Sequence, residues 1–309
     1  MSGWTLADLP PQRARVAVIT GASPGGLGFE TAMALAGAGA SLVLTARNPD
    51  KGEAAQQALL ARYPDANVRV EALDLAQLAS VRAFAERLGA QQPRVDLLIN
   101  NAGVMAPPQR RTTADGMELQ LGSNYLAHFA LTARLLPLLR AASAPRAVNL
   151  SSIAHRSARI DFDDLQGERP YRAWKAYGQS KLAMLMFSIE LQRRSDAHGW
   201  GLRAVAAHPG IAQTALIANG PAAGGRRTAI DLLTRWLGPA ISQSAAAGAL
   251  PTLYAATAPQ AQAGGYYGPD GLFELKGSPA PASVARQAQD PEVAARLWEA
   301  SCTLTGEMF

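Results

Sequence analysis

Tyr177 and Lys181 stand four residues apart in the run Ala176-Tyr177-Gly178-Gln179-Ser180-Lys181. On a helix that spacing puts both side chains on one face. A phenol with its ordinary pKa near 10 is a poor base at neutral pH, but a neighbouring ammonium favours the phenolate. The pair therefore reads as a proton-transfer device, with Lys181 expected to lower the Tyr177 pKa. On its own, the same spacing is also common on solvated helix faces. Ser151 and Ser152 close an apolar run, Ala147 to Ser151, that has the length of a strand. Strand carboxyl ends line the ligand crevice of open α/β sheets, where a serine can hydrogen-bond a carbonyl or alcohol oxygen. His155 follows Ser152 by three residues, but no serine sits in the Gly-x-Ser-x-Gly elbow that a hydrolase relay needs. His208 reads as a satisfied loop histidine, and four histidines with one cysteine offer no metal-ligand spacing.

The elements that must position these groups alternate. Short apolar runs at Val16–Thr20, Ser41–Thr45, Val68–Leu73, Val95–Asn100, Ala147–Ser151 and Arg203–Ala207 read as buried parallel strands. Between them lie helical stretches at Leu27–Ala38, Asn48 to about Tyr63, Ala76–Leu88, Met117–Leu139 and Ala173–Ser195. This order predicts an α/β fold, a doubly wound parallel sheet with right-handed crossovers and helices on both faces. With 309 residues, 48% of them hydrophobic and 17% charged, the chain can bury a large core. It reads as one domain, residues 1–309, with an N-terminal extension over 1–14 and a substrate lid over about 211–244.

Between the first strand and helix lies Thr20-Gly21-Ala22-Ser23-Pro24-Gly25-Gly26-Leu27-Gly28. Glycines there let backbone approach a pyrophosphate, which the helix N-terminus favours through free N–H groups and its dipole. This turn resembles the Thr-Gly-x-x-x-Gly-x-Gly of the short-chain dehydrogenase/reductase family, with one residue more before Gly26 and Gly28. Asn100-Asn101-Ala102-Gly103 and Tyr177-x-x-x-Lys181 carry the resemblance further. The 25 residues from Ser152 to Tyr177, with Asn149-Leu150-Ser151-Ser152-Ile153-Ala154-His155 and Asp164-Leu165-Gln166, resemble the retinol-dehydrogenase-like branch. The resemblance implies a Rossmann fold and a catalytic set of Ser152, Tyr177, Lys181 and Asn124, with Ser151 structural. Asn124 taken alone reads as a surface or kink residue. The resemblance instead gives it a water that links the lysine to solvent. It also implies cofactor contacts from Gly21, Ser23, Gly25, Gly26, Leu27 and Gly28, from Asp74 and Leu75 near the adenine, and from Asn101, Ala102 and Gly103. Tyr177, Lys181, Pro209, Gly210 and Thr214 complete that set on the ribose and nicotinamide side.

The second strand ends Leu44-Thr45-Ala46-Arg47. Ala46 fills the place where an NAD site carries an acid on the ribose, and Arg47 can pair with a 2′-phosphate. NADP is thus expected over NAD, with Asp50 assigned to the first turn of the next helix. Apolar residues over Ile211–Ser244, among them Leu216, Ile217, Ile230, Leu233, Trp236 and Leu237, suit a lid over an apolar carbonyl or alcohol, while the helical spacing of the last four more often means packing against the body. The net charge is +5, but basic residues are scattered, which argues against nucleic acid as a partner. The sequence has no apolar run of membrane-spanning length and only Cys302 as a thiol, so a soluble cytoplasmic enzyme without membrane partner or metal is expected. A homo-oligomer is compatible with the sequence. An extended-type epimerase or dehydratase and a cofactor-binding sensor or scaffold without turnover are the competing readings. Pro24, standing where the former's second glycine belongs, argues against the first, and the filled catalytic positions against the second.

Overall fold

The computed structural model describes residues 3–213 and 242–309. Six strands fall where the apolar runs predict them: β1 (Val16–Thr20), β2 (Ser41–Ala46), β3 (Val68–Ala72), β4 (Leu97–Asn100), β5 (Arg146–Leu150) and β6 (Arg203–Ala207). Two more come from the chain beyond them, β7 (Tyr266–Pro269) and β8 (Pro279–Pro281). They form one sheet in the order β3-β2-β1-β4-β5-β6-β7-β8. All neighbours are parallel except β7 and β8, which run antiparallel. Val18 lies at the centre of this register, opposite Val43 on one side and Leu98 on the other. The two prolines of β8 suit an edge, where a missing N–H costs no ladder bond.

Helices cover both faces. Helices α1 (Leu27–Gly37), α2 (Pro49–Arg62) and α6 (Ala245–Thr257) bury Leu35, Leu59 and Leu253 against Leu42, Leu44 and Tyr267 of the sheet. On the other face lie α3 (Leu78–Gln91), α4 (Ala127–Arg140), α5 (Ala173–His198) and α7 (Pro291–Thr305). Their core joins Phe84, Phe129, Phe187 and Trp298, with Phe309 edge-on to Phe129. Local sequence sets the helix ends. Asn48 accepts the Lys51 N–H at 3.0 Å with Pro49 in the first turn, and Asp290 does the same for Glu292 and Val293. Asp50 lies in the first turn of α2, where the sequence places it.

One predicted helix is interrupted. The stretch Met117–Leu139 does not begin helically, because Glu118 bridges back to Thr112. A wide π-type turn then runs over Leu121–Leu126 before α4 starts. Such turns concentrate at functional sites, and this one contains Asn124. The edges of α3 and α5 also shift, to Leu78 and His198. Asp74 accounts for the first shift, since its carboxylate accepts the Ala76 N–H and holds that residue in a turn.

Candidate active site

The glycine turn and the end of β4 lock face to face. Asn101 Nδ2 donates to the carbonyls of Thr20 (2.7 Å) and Gly21 (3.1 Å), while Thr20 Oγ1 accepts the N–H groups of Asn101 and Ala102. Only glycine fits at position 28, where a Cβ would lie 2.5 Å from Asn101 Nδ2 and 2.7 Å from the Gly21 carbonyl oxygen. Gly21 has φ +69°, and a Cβ there would lie 2.8 Å from the β-carbon of Ala102. The extra residue of this turn costs nothing in packing. Gly25 adopts φ +76° with open space where its side chain would be, so Pro24-Gly25 bulges outward. Gly26 caps α1 without any side-chain hydrogen bond, which leaves the helix N-terminus to an anion. These features fit a dinucleotide pyrophosphate.

Around this turn the other expected cofactor residues take different places. Arg47 is exposed just past β2, without a hydrogen bond or ion pair among the described residues, and Ala46 pairs with Ala72. Asp74 spends its carboxylate on Ala76 and Gln77, while Leu75 packs against the core. Ser23 contributes its carbonyl to the Gly26 N–H. Pro209 and Gly210 follow β6, and Gly210 has φ +62°. Thr214 and the lid residues from 214 to 241 lie outside the described residues.

The four catalytic candidates converge at the ends of β4 and β5. Ser152 Oγ accepts the Ala154 N–H at 3.2 Å and faces the Tyr177 phenol, whose pKa it pulls down slightly. Ser151 is buried and donates to the Lys181 carbonyl at 2.8 Å, a structural role as expected. Lys181 Nζ donates to the Leu150 carbonyl at 3.0 Å and lies 5.9 Å from the centre of the Tyr177 ring. Asn124 grips Val104 at both backbone atoms, accepting its N–H (2.7 Å) and donating to its carbonyl (3.0 Å), and donates to Ser180 Oγ. Between Asn124 and Lys181 sits Gly103, whose missing Cβ would be 3.0 Å from Asn124 Oδ1 and 3.6 Å from Lys181 Nζ.

The electrostatics reverse one expectation. Burial pushes the Tyr177 phenol up to about 12, against a smaller downward pull from Ser152, and brings Lys181 down to about 8. Desolvation is the dominant effect on the phenol, so Tyr177 holds its proton at neutral pH. At the same pH Lys181 is mostly charged. His128 is pushed down to about 4, mainly by burial, and stays a neutral imidazole.

Three supports escaped the sequence. His128 shares a hydrogen bond with Thr20 Oγ1 at 2.9 Å and donates from Nδ1 to the Asn124 carbonyl, tying β1 to the π-type turn. Gln120 accepts the Ala106 N–H and donates to Tyr171 and to the Ala173 carbonyl, joining the Val104 loop to the start of α5. The long Ser152–Tyr177 interval is bolted down by Tyr171, which donates to the buried Glu118, and by Gln179, which holds Asp161 and Leu165. Apart from the His128–Asn124 bond, which spans one helical turn, each partner is distant in the chain, so no local spacing announces it.

The pattern of the short chain dehydrogenase family matches residues 15–223, more than half of the chain. This chain belongs to the short-chain dehydrogenase family. It is similar to human retinol dehydrogenase 13, at 42% identity over 300 residues covering 94% of this chain and 85% of that protein. It is also similar to the crystal structure of an uncharacterized protein from Mycobacterium paratuberculosis, at TM-score 0.80 and 42% identity, covering 100% and 99% of the two chains. A short chain dehydrogenase from Shigella flexneri, solved as a complex with NADP, matches at TM-score 0.63 and 25% identity over 84% and 98%. The short-chain dehydrogenase described here falls in the retinol-dehydrogenase-like branch and is an oxidoreductase acting on CH–OH or C=O groups with a nicotinamide cofactor. Among the described residues no helix is long and apolar enough to cross a membrane.

Proposed function

We propose that this chain transfers a hydride between NADP(H) and the carbonyl or alcohol carbon of an apolar substrate, with Ser152, Tyr177, Lys181 and Asn124 as the working set. The observation that carries this reading is the Ser152–Tyr177 hydroxyl pair beside the buried Lys181. When bound, the nicotinamide supplies or accepts the hydride. The glycine turn, Asn101, Ala102 and Gly103 hold the dinucleotide, and Pro209, Gly210 and Thr214 its nicotinamide side.

Tyr177, protonated at neutral pH, donates its proton to a carbonyl oxygen during reduction and recovers it from the alcohol during oxidation. Ser152 hydrogen-bonds that oxygen and orients it. The Lys181 ammonium stabilises the phenolate left after transfer and reaches the ribose. Asn124 holds the Gly103–Val104 peptide against Lys181 and keeps one Oδ1 lone pair for a water on the path to solvent. Preference for NADP rests on the exposed guanidinium of Arg47, unpaired among the described residues, beside Ala46, which stands where an NAD site carries its ribose-binding acid. An apolar substrate is supported by the name of the human relative.

Following the reduced-nicotinamide absorbance with NADPH and with NADH across a panel of apolar and short-chain carbonyls tests the reading. Turnover of apolar members with NADPH is the expected result. A protein that binds dinucleotide but oxidises it with no member of the panel would defeat the enzymatic reading. Equal use of both cofactors would defeat the NADP preference.

A further inference from the structure

His208 opens the segment His208-Pro209-Gly210 and is completely buried. Its Nδ1 accepts the Gly210 N–H at 3.2 Å, so the ring proton sits on Nε2 and is donated to Glu274 at 2.8 Å. Glu274 belongs to the turn between β7 and β8. Its other oxygen, Oε1, accepts the Ser283 N–H (2.9 Å) and hydroxyl (2.7 Å), and Arg156 pairs with Oε2. Arg156 also donates to the Phe273 carbonyl. Burial pushes the Glu274 carboxyl up, but the bonds from His208 and Ser283 outweigh it and hold the group down to about 2.

The backbone of this turn presses on the same segment. The Leu275 carbonyl oxygen lies 2.2 Å from where a Gly210 Cβ would be, and it accepts the Ile211 N–H at 2.8 Å. Phe273 and Glu274 both have positive φ, 54° and 59°. Non-glycine residues keep that conformation only where surroundings fix it. Here Arg156, Ser283 and His208 do so. Phe273, Glu274, Leu275 and Ser283 lie beyond residue 223, where the family pattern ends, while His208, Gly210 and Arg156 lie within it.

We infer that Glu274 is a positioning residue for cofactor binding: through the His208 tautomer it fixes the Pro209–Gly210 turn against the nicotinamide half of the dinucleotide. The inference rests on the dinucleotide reading above. It predicts a one-sided effect, because the adenosine half is held by the glycine turn and the end of β2, which Glu274 does not touch.

The test is calorimetric binding of NADPH and of 2′-phospho-ADP-ribose, which lacks nicotinamide, to the full chain and its Glu274 variants. Glu274→Ala should weaken NADPH at least tenfold and leave 2′-phospho-ADP-ribose within twofold. Glu274→Gln, which still offers His208 an acceptor, should recover most of the NADPH affinity. Glu274→Asp withdraws the carboxylate by one methylene and should show the same one-sided loss as alanine, and it decides the matter if the alanine variant does not fold. Equal loss of both ligands, or loss of neither, would overturn the inference while leaving the dinucleotide reading in place. An unmutated protein that binds neither ligand would instead overturn that reading.

Discussion

Replacing Lys181 by methionine should make this protein more stable and inactive. The side chain is 5% exposed, and burial lowers its pKa from the ordinary 10.5 to about 8. At about 1.36 kcal/mol per pKa unit, holding it charged at pH 7 costs the folded state ~3 kcal/mol. Methionine fills the same space without charge, but it leaves the Leu150 carbonyl without its 3.0 Å donor, a loss of ~1 kcal/mol. The net gain is ~2 kcal/mol, and with an unfolding entropy of ~2.1 cal/mol/K per residue the midpoint should rise by about 3 °C. The pH dependence has a definite sign. Between about 8 and 10.5 the folded state has released the proton and the unfolded state has not, so the stability of the unmutated protein rises with pH through that window. The gap to Lys181→Met should therefore be widest below pH 8 and close toward 10.5. Urea unfolding of both proteins at several pH values between 6 and 11 reads this directly. A methionine variant less stable than its parent at pH 7 would refute the reasoning, since the buried charge would then be stabilising the fold.

Tyr177→Phe removes one hydroxyl from a packed ring, so NADPH affinity should survive while turnover falls ~10²–10⁴-fold; near-normal turnover would mean the proton moves elsewhere. Arg47→Ala should shrink the preference for NADPH over NADH by ~1–3 kcal/mol in paired binding titrations, the range of a charge-assisted bond. Gly28→Ala drives a methyl into the Gly21 carbonyl and the Asn101 amide, 2.7 and 2.5 Å away. That overpacking should lower stability by ~1–3 kcal/mol and weaken dinucleotide binding, and an unaltered melting curve would show that the turn can yield.

Local chemistry was enough to read the first six strands and the helices between them, but not β7, β8, α6 or α7. The apolar runs that became β1, β2, β4, β5 and β6 are largely buried on both faces, so each is a nearly continuous signal, whereas β3 alternates Val68, Val70 and Ala72 with Arg69 and Glu71 and is only half-buried. Asn48-Pro49 and the glycine turn are punctuation that acts within a few residues, and both stand where they were expected. Spacing also brought Tyr177 and Lys181 onto one helix face, because a helix fixes the geometry of residues four apart. What the local sequence left out depends on partners far along the chain. The Tyr177 and Lys181 shifts are set by burial, which no spacing reveals. The π-type turn carries Asn124, which reaches back to Val104 and across to Ser180. His208 finds Glu274 only because β7 and β8 extend the sheet at its far edge and return the turn between them to the segment after β6. The sequence by itself determined the layers and the chemical groups. The tertiary structure decided which groups are dry, which carbonyls and amides they hold, and so which of them keep their protons.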